Sequence, residues 1–242
     1  MNVAVVIPAR YASTRLPGKP LLKIGRKTII ERVCERAKQA RCAKRVIVAT
    51  DEVRIAEAVR AFGGEACMTR ADHASGTDRV AEAARERLSD FDAIVNVQGD
   101  EPGMAPENID LVARLIEEDG EAAMATLACV VTSRERMLDP NQVKVVCDAR
   151  GRALYFSRAP VPFARDEAER DWTFLAHLGI YGYRREFLLR FPTLPKTPLE
   201  LKEKLEQLRA LEHGYVVRVG ITDKVSFGID TPEDLLRFRS LL

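Results

Sequence analysis

The sequence predicts an α/β fold, a mostly parallel sheet with helices on both faces and an embedded antiparallel lobe. Three observations carry that reading. In the first half a short β-branched run is followed four times by a helix-period segment, the alternation of a parallel sheet. In the second half the strand-like runs close up to hairpin spacing, so antiparallel pairing enters. The 242 residues are 46% hydrophobic and 31% charged, a composition that folds around its own core without disulfide or metal staples.

Residues 3–7 form the first expected strand. Thr28, with Glu31 three residues on, makes a capping box for a helix that sets Ile29, Ile30, Val33 and Ala37 at helical spacing. Residues 45–50 are the next strand, and 52–62 a helix with Val53, Ala56 and Val59 on one face before Gly63 and Gly64 stop it. A third strand is expected at 66–69, an alanine-rich helix at 77–88 with Thr77 as its cap, and a fourth strand at 93–97. Pro106 then opens a helix bearing Ile109, Val112 and Ile116. Residues 122–131 and 143–147 read as strands, and a turn at 148–151 leads to another at 153–157. Pro160, Pro162 and the charged stretch to Asp171 read as an exposed loop. Further strands are expected at 178–183, 216–220 and 225–229, one charged amphipathic helix at 198–212, and a last helix capped by Thr231 with Pro232 at its first position. With no repeat or linker composition, the chain reads as a single domain over residues 1–242.

The charge balance, 38 Lys+Arg against 36 Asp+Glu, does not suggest a generally basic nucleic-acid surface. Cys34, Cys42, Cys67, Cys129 and Cys147 are scattered, with no C-x-x-C and no His at ligand spacing, which argues against a zinc site or disulfide framework. Their apolar neighbours favour buried thiols in a reducing cytoplasm. The apolar run near the start is too short for a signal segment, and no run reaches the ~18 apolar residues of a membrane span. A cytoplasmic protein with neither nucleic-acid nor membrane partner is expected.

Charge is unequal in one place. Residues 9–27 hold Arg10, Arg15, Lys19, Lys23, Arg26 and Lys27 with no acid among them, directly after the first strand. In an open α/β sheet the ligand crevice lies beyond the carboxyl ends of the strands, so Arg10, Ser13, Arg15 and Lys19 stand where a polyphosphate is expected; the alternative is a solvated basic turn. Gly18-Lys19-Pro20 satisfies neither the dinucleotide nor the P-loop glycine pattern. The fourth strand ends in Asn96-Val-Gln-Gly-Asp100-Glu-Pro, which makes Asp100 a magnesium-ligand candidate or else a turn residue. Asp230 is either the second carboxylate or an ordinary residue ahead of the Thr231 cap. Arg70 and Ser75 flank a helix start able to meet a phosphate or a base. His177 and Tyr181 share a strand face and line a pocket wall or fill the core. Glu206 and Gln207 taken alone read as a solvated helix face.

Five segments in order (IPARYASTRLPGKPL at 7–21, NVQGDEP at 96–102, LYFSR at 154–158, HLGIYGY at 177–183 and DTPED at 230–234) together resemble the 3-deoxy-manno-octulosonate (Kdo) cytidylyltransferases, or CMP-Kdo synthetases, of the sugar-nucleotidyltransferase superfamily. The resemblance spans essentially the whole chain, departing at Gly103, where a larger apolar residue is expected, and at Phe163, where Trp is common. It implies a Rossmann-like nucleotidyltransferase sheet, with nucleotide binding over about 1–130, a sugar-binding and dimerisation lobe over about 131–220, and a metal-ligand segment and helix over 221–242. It implies magnesium-dependent transfer of CMP from CTP to the anomeric hydroxyl of Kdo with release of pyrophosphate, activating the sugar for lipopolysaccharide synthesis. By the same resemblance Ala9, Arg10, Ser13, Arg15 and Lys19 bind the triphosphate, and Arg70, Ser75 and Gln98 face the cytosine. Asp100 and Asp230 hold Mg2+, and Arg158, His177, Tyr181, Glu206 and Gln207 hold the sugar acid. Arg10, Lys19 and Asp100 carry the catalysis, and the chain is a homodimer. The rivals are a cytidylyltransferase for 8-amino-Kdo or a sialic acid, and a nucleotide-sensing binding protein that needs neither aspartate.

Overall fold

An unbroken apolar run is a strand covered on both faces, and Val3–Ala9, β1, is that strand: Val3 to Ile7 are each 3% exposed or less. The structure, a computed structural model of the chain, describes residues 1–12, 16–166, 171–225 and 228–240. A small hairpin, β2 (Lys23–Ile24) and β3 (Lys27–Thr28), leads into α1 (Ile29–Lys38). The start of α1 is the expected capping box, in which Thr28 Oγ1 accepts from the Glu31 N–H and the Glu31 carboxylate accepts from the Thr28 N–H. The alternation continues through β4 (Ala43–Thr50), α2 (Val53–Ala61), β5 (Glu65–Met68), α3 (Gly76–Arg87), β6 (Ala93–Asn96) and α4 (Pro106–Glu118). The second half adds β7 (Ala122–Thr132), α5 (Arg134–Leu138), β8 (Lys144–Cys147), β9 (Ala153–Ser157), β10 (Thr173–Arg184) and α6 (Arg185–Arg190). It ends with α7 (Pro198–Glu203), α8 (Gln207–Glu212), β11 (Val216–Ile221) and α9 (Pro232–Arg239).

The main sheet runs β11-β7-β10-β6-β1-β4-β5, with β8 added to β10 and β9 to β8. Only β10 is antiparallel to its neighbours along that path, so the sheet is mostly parallel and flanked by helices, as expected. Alternate β1 side chains serve two cores. Val3, Val5 and Ile7 pack with Ile29, Val33 and Ile109 from α1 and α4, while Ala4 and Val6 pack with Val80, Leu188 and Leu208 from α3, α6 and α8. Of the face expected on α2, Ala56 and Val59 are buried with Ile55, but Val53 in the first turn is 55% exposed.

Three expectations fail, each for a tertiary reason. The helix expected over 198–212 is two helices, because Lys204 takes a left-handed φ of 54°; the break turns Leu205 and Gln207 inward, where both are buried. Gln207 is therefore no solvated face. Ser75 caps α3 instead of Thr77, its Oγ accepting from the Asp78 N–H, and Thr77 lies buried in the first turn. In the strand expected at 225–229, Val225, Gly228 and Ile229 have no strand pairing, and residues 226 and 227 lie outside the described residues. Ile229 is buried, and its N–H donates to the Asp100 carbonyl at 2.9 Å.

Candidate active site

The carboxyl ends of β1 and β6 open into a cleft of about 450 Å³ lined by Ala9, Arg10, Lys19, Gln98, Asp100 and Asp230. Two glycines make the approach. Gly18, at φ 66°, turns the loop after β1 and donates its N–H to the Tyr11 carbonyl at 3.0 Å, which sets Lys19 at the head of a short 3-10 turn. A Cβ at Gly99 would stand 2.6 Å from the Pro8 carbonyl oxygen, so only glycine lets the chain beyond β6 pass this close to β1. Across that contact Lys19 Nζ donates to Asp100 Oδ2 at 2.6 Å and to Asp230 Oδ1 at 2.9 Å. Burial opposes the charge on the Lys19 ammonium, but the two carboxylates outweigh it and hold its pKa above the ordinary lysine value. Ser13 and Arg15, expected in the same loop, lie outside the described residues.

On the β5 side, Arg10 Nη2 donates to the His73 carbonyl at 2.9 Å. Glu82 of α3 anchors this loop by accepting from the Arg70 N–H and by pairing with the His73 ring. The Arg70 side chain reaches outward beside Asp72, 3.2 Å away. Ser75, the cap of α3, is half-buried.

Beyond Gln98, whose Nε2 donates to the Gly179 carbonyl at 3.4 Å, His177 and Tyr181 lie on β10, and Glu206 and Gln207 lie at the start of α8. The β10–β7 register slips between Leu178 and Tyr181, yet the His177 and Tyr181 rings remain 5.5 Å apart between centroids. Thr126, missed by the sequence reading, ties this irregularity together. Its single hydroxyl proton faces the Leu178 and Ile180 carbonyls at 3.1 and 2.7 Å, so it accepts from His177 Nε2 at 2.9 Å, which assigns the ring proton to Nε2. Desolvation lowers the His177 pKa to about 3 and keeps the imidazole neutral. Glu206 Oε2 accepts from Thr77 Oγ1 at 2.6 Å. Burial raises the Glu206 pKa against the lowering effect of its hydroxyl partners. Glu206 Oε1 is buried without a hydrogen bond but lies 3.7 Å from Arg209 Nη2, while Gln207 Nε2 is buried without a hydrogen-bond partner, at a cost of about 1–3 kcal/mol. Arg158, just past β9, is held by Glu203 and Pro140. Phe156 sets its ring edge-on to His177, 5.2 Å between centroids. Gly103 stands apart from this group, with Phe238 of α9 occupying the space of a larger side chain: a Cβ at 103 would lie 3.1 Å from that ring.

A cationic loop after β1 facing two converging carboxylates, on a mostly parallel sheet, defines an enzyme of the nucleotidyltransferase class. Residues 4–222 match the cytidylyltransferase family. A 3-deoxy-manno-octulosonate cytidylyltransferase of Syntrophotalea carbinolica is 53% identical, covering 100% of this chain and 99% of the relative. That of Syntrophobacter fumaroxidans is 54% identical, covering 97% and 94%. The solved structure of a CMP:2-keto-3-deoxy-manno-octonic acid synthetase complexed with CTP superposes with a TM-score of 0.94 at 42% identity, over 100% of this chain and 98% of that one. The chain belongs to the cytidylyltransferase family, among its 3-deoxy-manno-octulosonate cytidylyltransferases.

Proposed function

We propose that the chain transfers CMP from CTP to the anomeric hydroxyl of Kdo and releases pyrophosphate, activating the sugar for lipopolysaccharide synthesis. The observation that carries the reading is the meeting of Asp100 and Asp230 on Lys19 at the end of β1, in a chain about half identical to Kdo cytidylyltransferases over its full length. Phosphoryl transfer needs alignment and charge neutralisation rather than covalent chemistry. Ala9, Arg10, Ser13, Arg15 and Lys19 bind the triphosphate in this reading, with Lys19 beside the charge that grows as pyrophosphate leaves. Arg70, Ser75 and Gln98 face the cytosine.

Asp100 and Asp230 offer hard oxygen donors that already enclose one cation, the Lys19 ammonium, which fits a magnesium site completed by substrate phosphates and water. Among the described residues no group of three or more His, Cys, Asp or Glu side chains gathers as a self-sufficient metal site. Magnesium bound there would supply positive charge to the phosphate oxygens and lower the pKa of a neighbouring hydroxyl. Arg158 offers a cation to the sugar carboxylate, while His177, Tyr181, Glu206 and Gln207 offer polar groups to its hydroxyls. Gln207 Nε2, buried without a hydrogen-bond partner, supports this, because a ligand hydroxyl would satisfy it.

We assign nucleotide binding to about residues 1–130 and sugar binding to about 131–220, and infer a homodimer joined through that lobe. Leu138, Leu154 and Phe163 of the lobe are exposed, and among the described residues β9 pairs along the sheet with β8 alone, two features a second copy would cover. No described helix is long and apolar enough to cross a membrane, and the free thiols suit the cytoplasm. Pyrophosphate release assayed with CTP and a panel of Kdo, 8-amino-Kdo and a sialic acid tests the function. Turnover with Kdo is expected; turnover confined to another acid reassigns the substrate, and no turnover with any of them removes the catalytic reading.

A further inference from the structure

Lys144 is fully buried at the start of β8, in register with Ser157 of β9 on one side and Ala176 of β10 on the other. It forms no ion pair among the described residues. Its ammonium has three N–H donors, and each meets a backbone carbonyl: Asp139 at 2.8 Å, Gln142 at 2.8 Å and Arg158 at 2.7 Å. Burying a cation is costly, and an apolar side chain of equal length would fill the same volume without that cost. The arrangement is therefore better suited to holding geometry than to adding stability.

What it holds is Arg158, from two directions. Lys144 binds the Arg158 carbonyl directly, and it also binds Asp139 and Gln142, the two sides of the turn whose Pro140 carbonyl accepts from Arg158 Nη1 at 3.0 Å. Glu203, at the end of α7, closes the opposite side. Its carboxylate accepts from the Arg158 N–H at 3.0 Å and from Ser157 Oγ at 2.8 Å, and its carbonyl accepts from Arg158 Nε at 2.7 Å. Both backbone polar groups of Arg158 and two of its three guanidinium nitrogens are thus fixed, and the edge bearing Nη2 is the one these bonds leave over. The same strands carry His177, whose N–H donates to the Val143 carbonyl at 2.9 Å, so the frame spans two of the proposed sugar contacts.

We propose that Lys144 and Glu203 are positioning residues for the acid sugar, clamping Arg158 so that its remaining guanidinium edge meets the substrate carboxylate. The proposal rests on the reading of Arg158 as a sugar contact. A guanidinium fork binds a carboxylate well only when its plane is set in advance, so loosening the frame weakens sugar binding and leaves the nucleotide side untouched.

The test is steady-state pyrophosphate release by the full chain and its Lys144→Met, Glu203→Gln and Arg158→Ala variants, with CTP and Kdo varied separately. Lys144→Met and Glu203→Gln are each expected to raise the KM for Kdo about 10- to 100-fold while the KM for CTP stays at the parent value. Combining either with Arg158→Ala should add little to Arg158→Ala alone, because the frame acts through that side chain. Should Lys144→Met fail to fold, Glu203→Gln decides. Arg158→Ala with an unchanged KM for Kdo overturns the reading of Arg158 itself. A raised KM in Arg158→Ala with none in the two frame variants, or equal changes toward both substrates, overturns the positioning role alone.

Discussion

Asp230 meets Asp100 across the ammonium of Lys19, at 2.9 and 2.6 Å from Nζ, although the two acids lie at the ends of different segments far apart in the chain. The Ile229 N–H to Asp100 carbonyl bond sets the two backbones side by side. Without a cation between them the carboxylates would repel.

Replacing Asp230 by Asn separates a metal role from a helix-cap role. The cap is made by Thr231 and Asp234: Thr231 Oγ1 accepts from the Asp234 N–H at 3.2 Å, and the Asp234 carboxylate accepts from the Asp230 and Thr231 N–H groups at 3.0 and 2.9 Å. Asp230 joins it through its backbone N–H, while its carboxylate meets Lys19. Asp230→Asn is therefore expected to keep its Tm and to raise the magnesium concentration for half-maximal turnover by at least the roughly 10- to 100-fold typical of losing a metal site's outer partners. A parental magnesium titration with a lowered Tm would return Asp230 to the cap.

Lys19→Ala should lose about 2–4 kcal/mol of transition-state stabilisation, roughly 30- to 1000-fold in turnover, while remaining folded. Magnesium should then raise its Tm more than it raises the parent's, since the metal is left as the sole cation between the acids. Turnover within a few-fold of the parent would remove Lys19 from the reaction.

Glu206 has a pKa raised by burial, so the folded state holds its proton more tightly than the unfolded chain does. The stability this adds is fully present below the ordinary value of 4.5 and fades as pH rises through the folded value. Glu206→Gln lacks that dependence. Melts from pH 4 to 8 should show the variant gaining on the parent as pH rises, with sugar binding lost; parallel curves would contradict the assignment.

Glu200 and Arg209 form a two-pronged pair at 2.5 and 2.8 Å, 7% and 4% exposed, beneath α7 and α8. Burial would raise the Glu200 pKa, but the guanidinium outweighs it and holds the carboxyl below its usual range. Arg209→Met strands that charge and should cost about 3–5 kcal/mol in urea unfolding, with Arg209→Met/Glu200→Met recovering most of it. A double variant no more stable than the single one would show that the loss lies in packing.

Light scattering at micromolar concentration should return a dimer mass, and Phe163→Glu, at a ring 77% exposed, should shift it to monomer. A monomer mass for the parent would defeat the assembly.

The alternation of strands and helices through α4, the capping box at Thr28 and the cap at Thr231 were legible in the sequence alone, because period and capping depend on residues within a turn of one another. The basic loop and the acids at 100 and 230 were legible as candidates too, each a local excess or a local boundary, although the strand expected ahead of Asp230 is absent among the described residues. The resemblance paired Asp100 with Asp230, but it took the folded chain to show that they meet across Lys19, that Ser75 rather than Thr77 caps α3, and that the late helix breaks at Lys204, a left-handed residue with no glycine to announce it. Lys144 and Thr126 sit in strands where pattern alone shows neither a buried ammonium among carbonyls nor a hydroxyl holding an irregular β10. Those roles arise where segments distant in sequence pack together, and a local pattern carries no information about which distant partner will arrive.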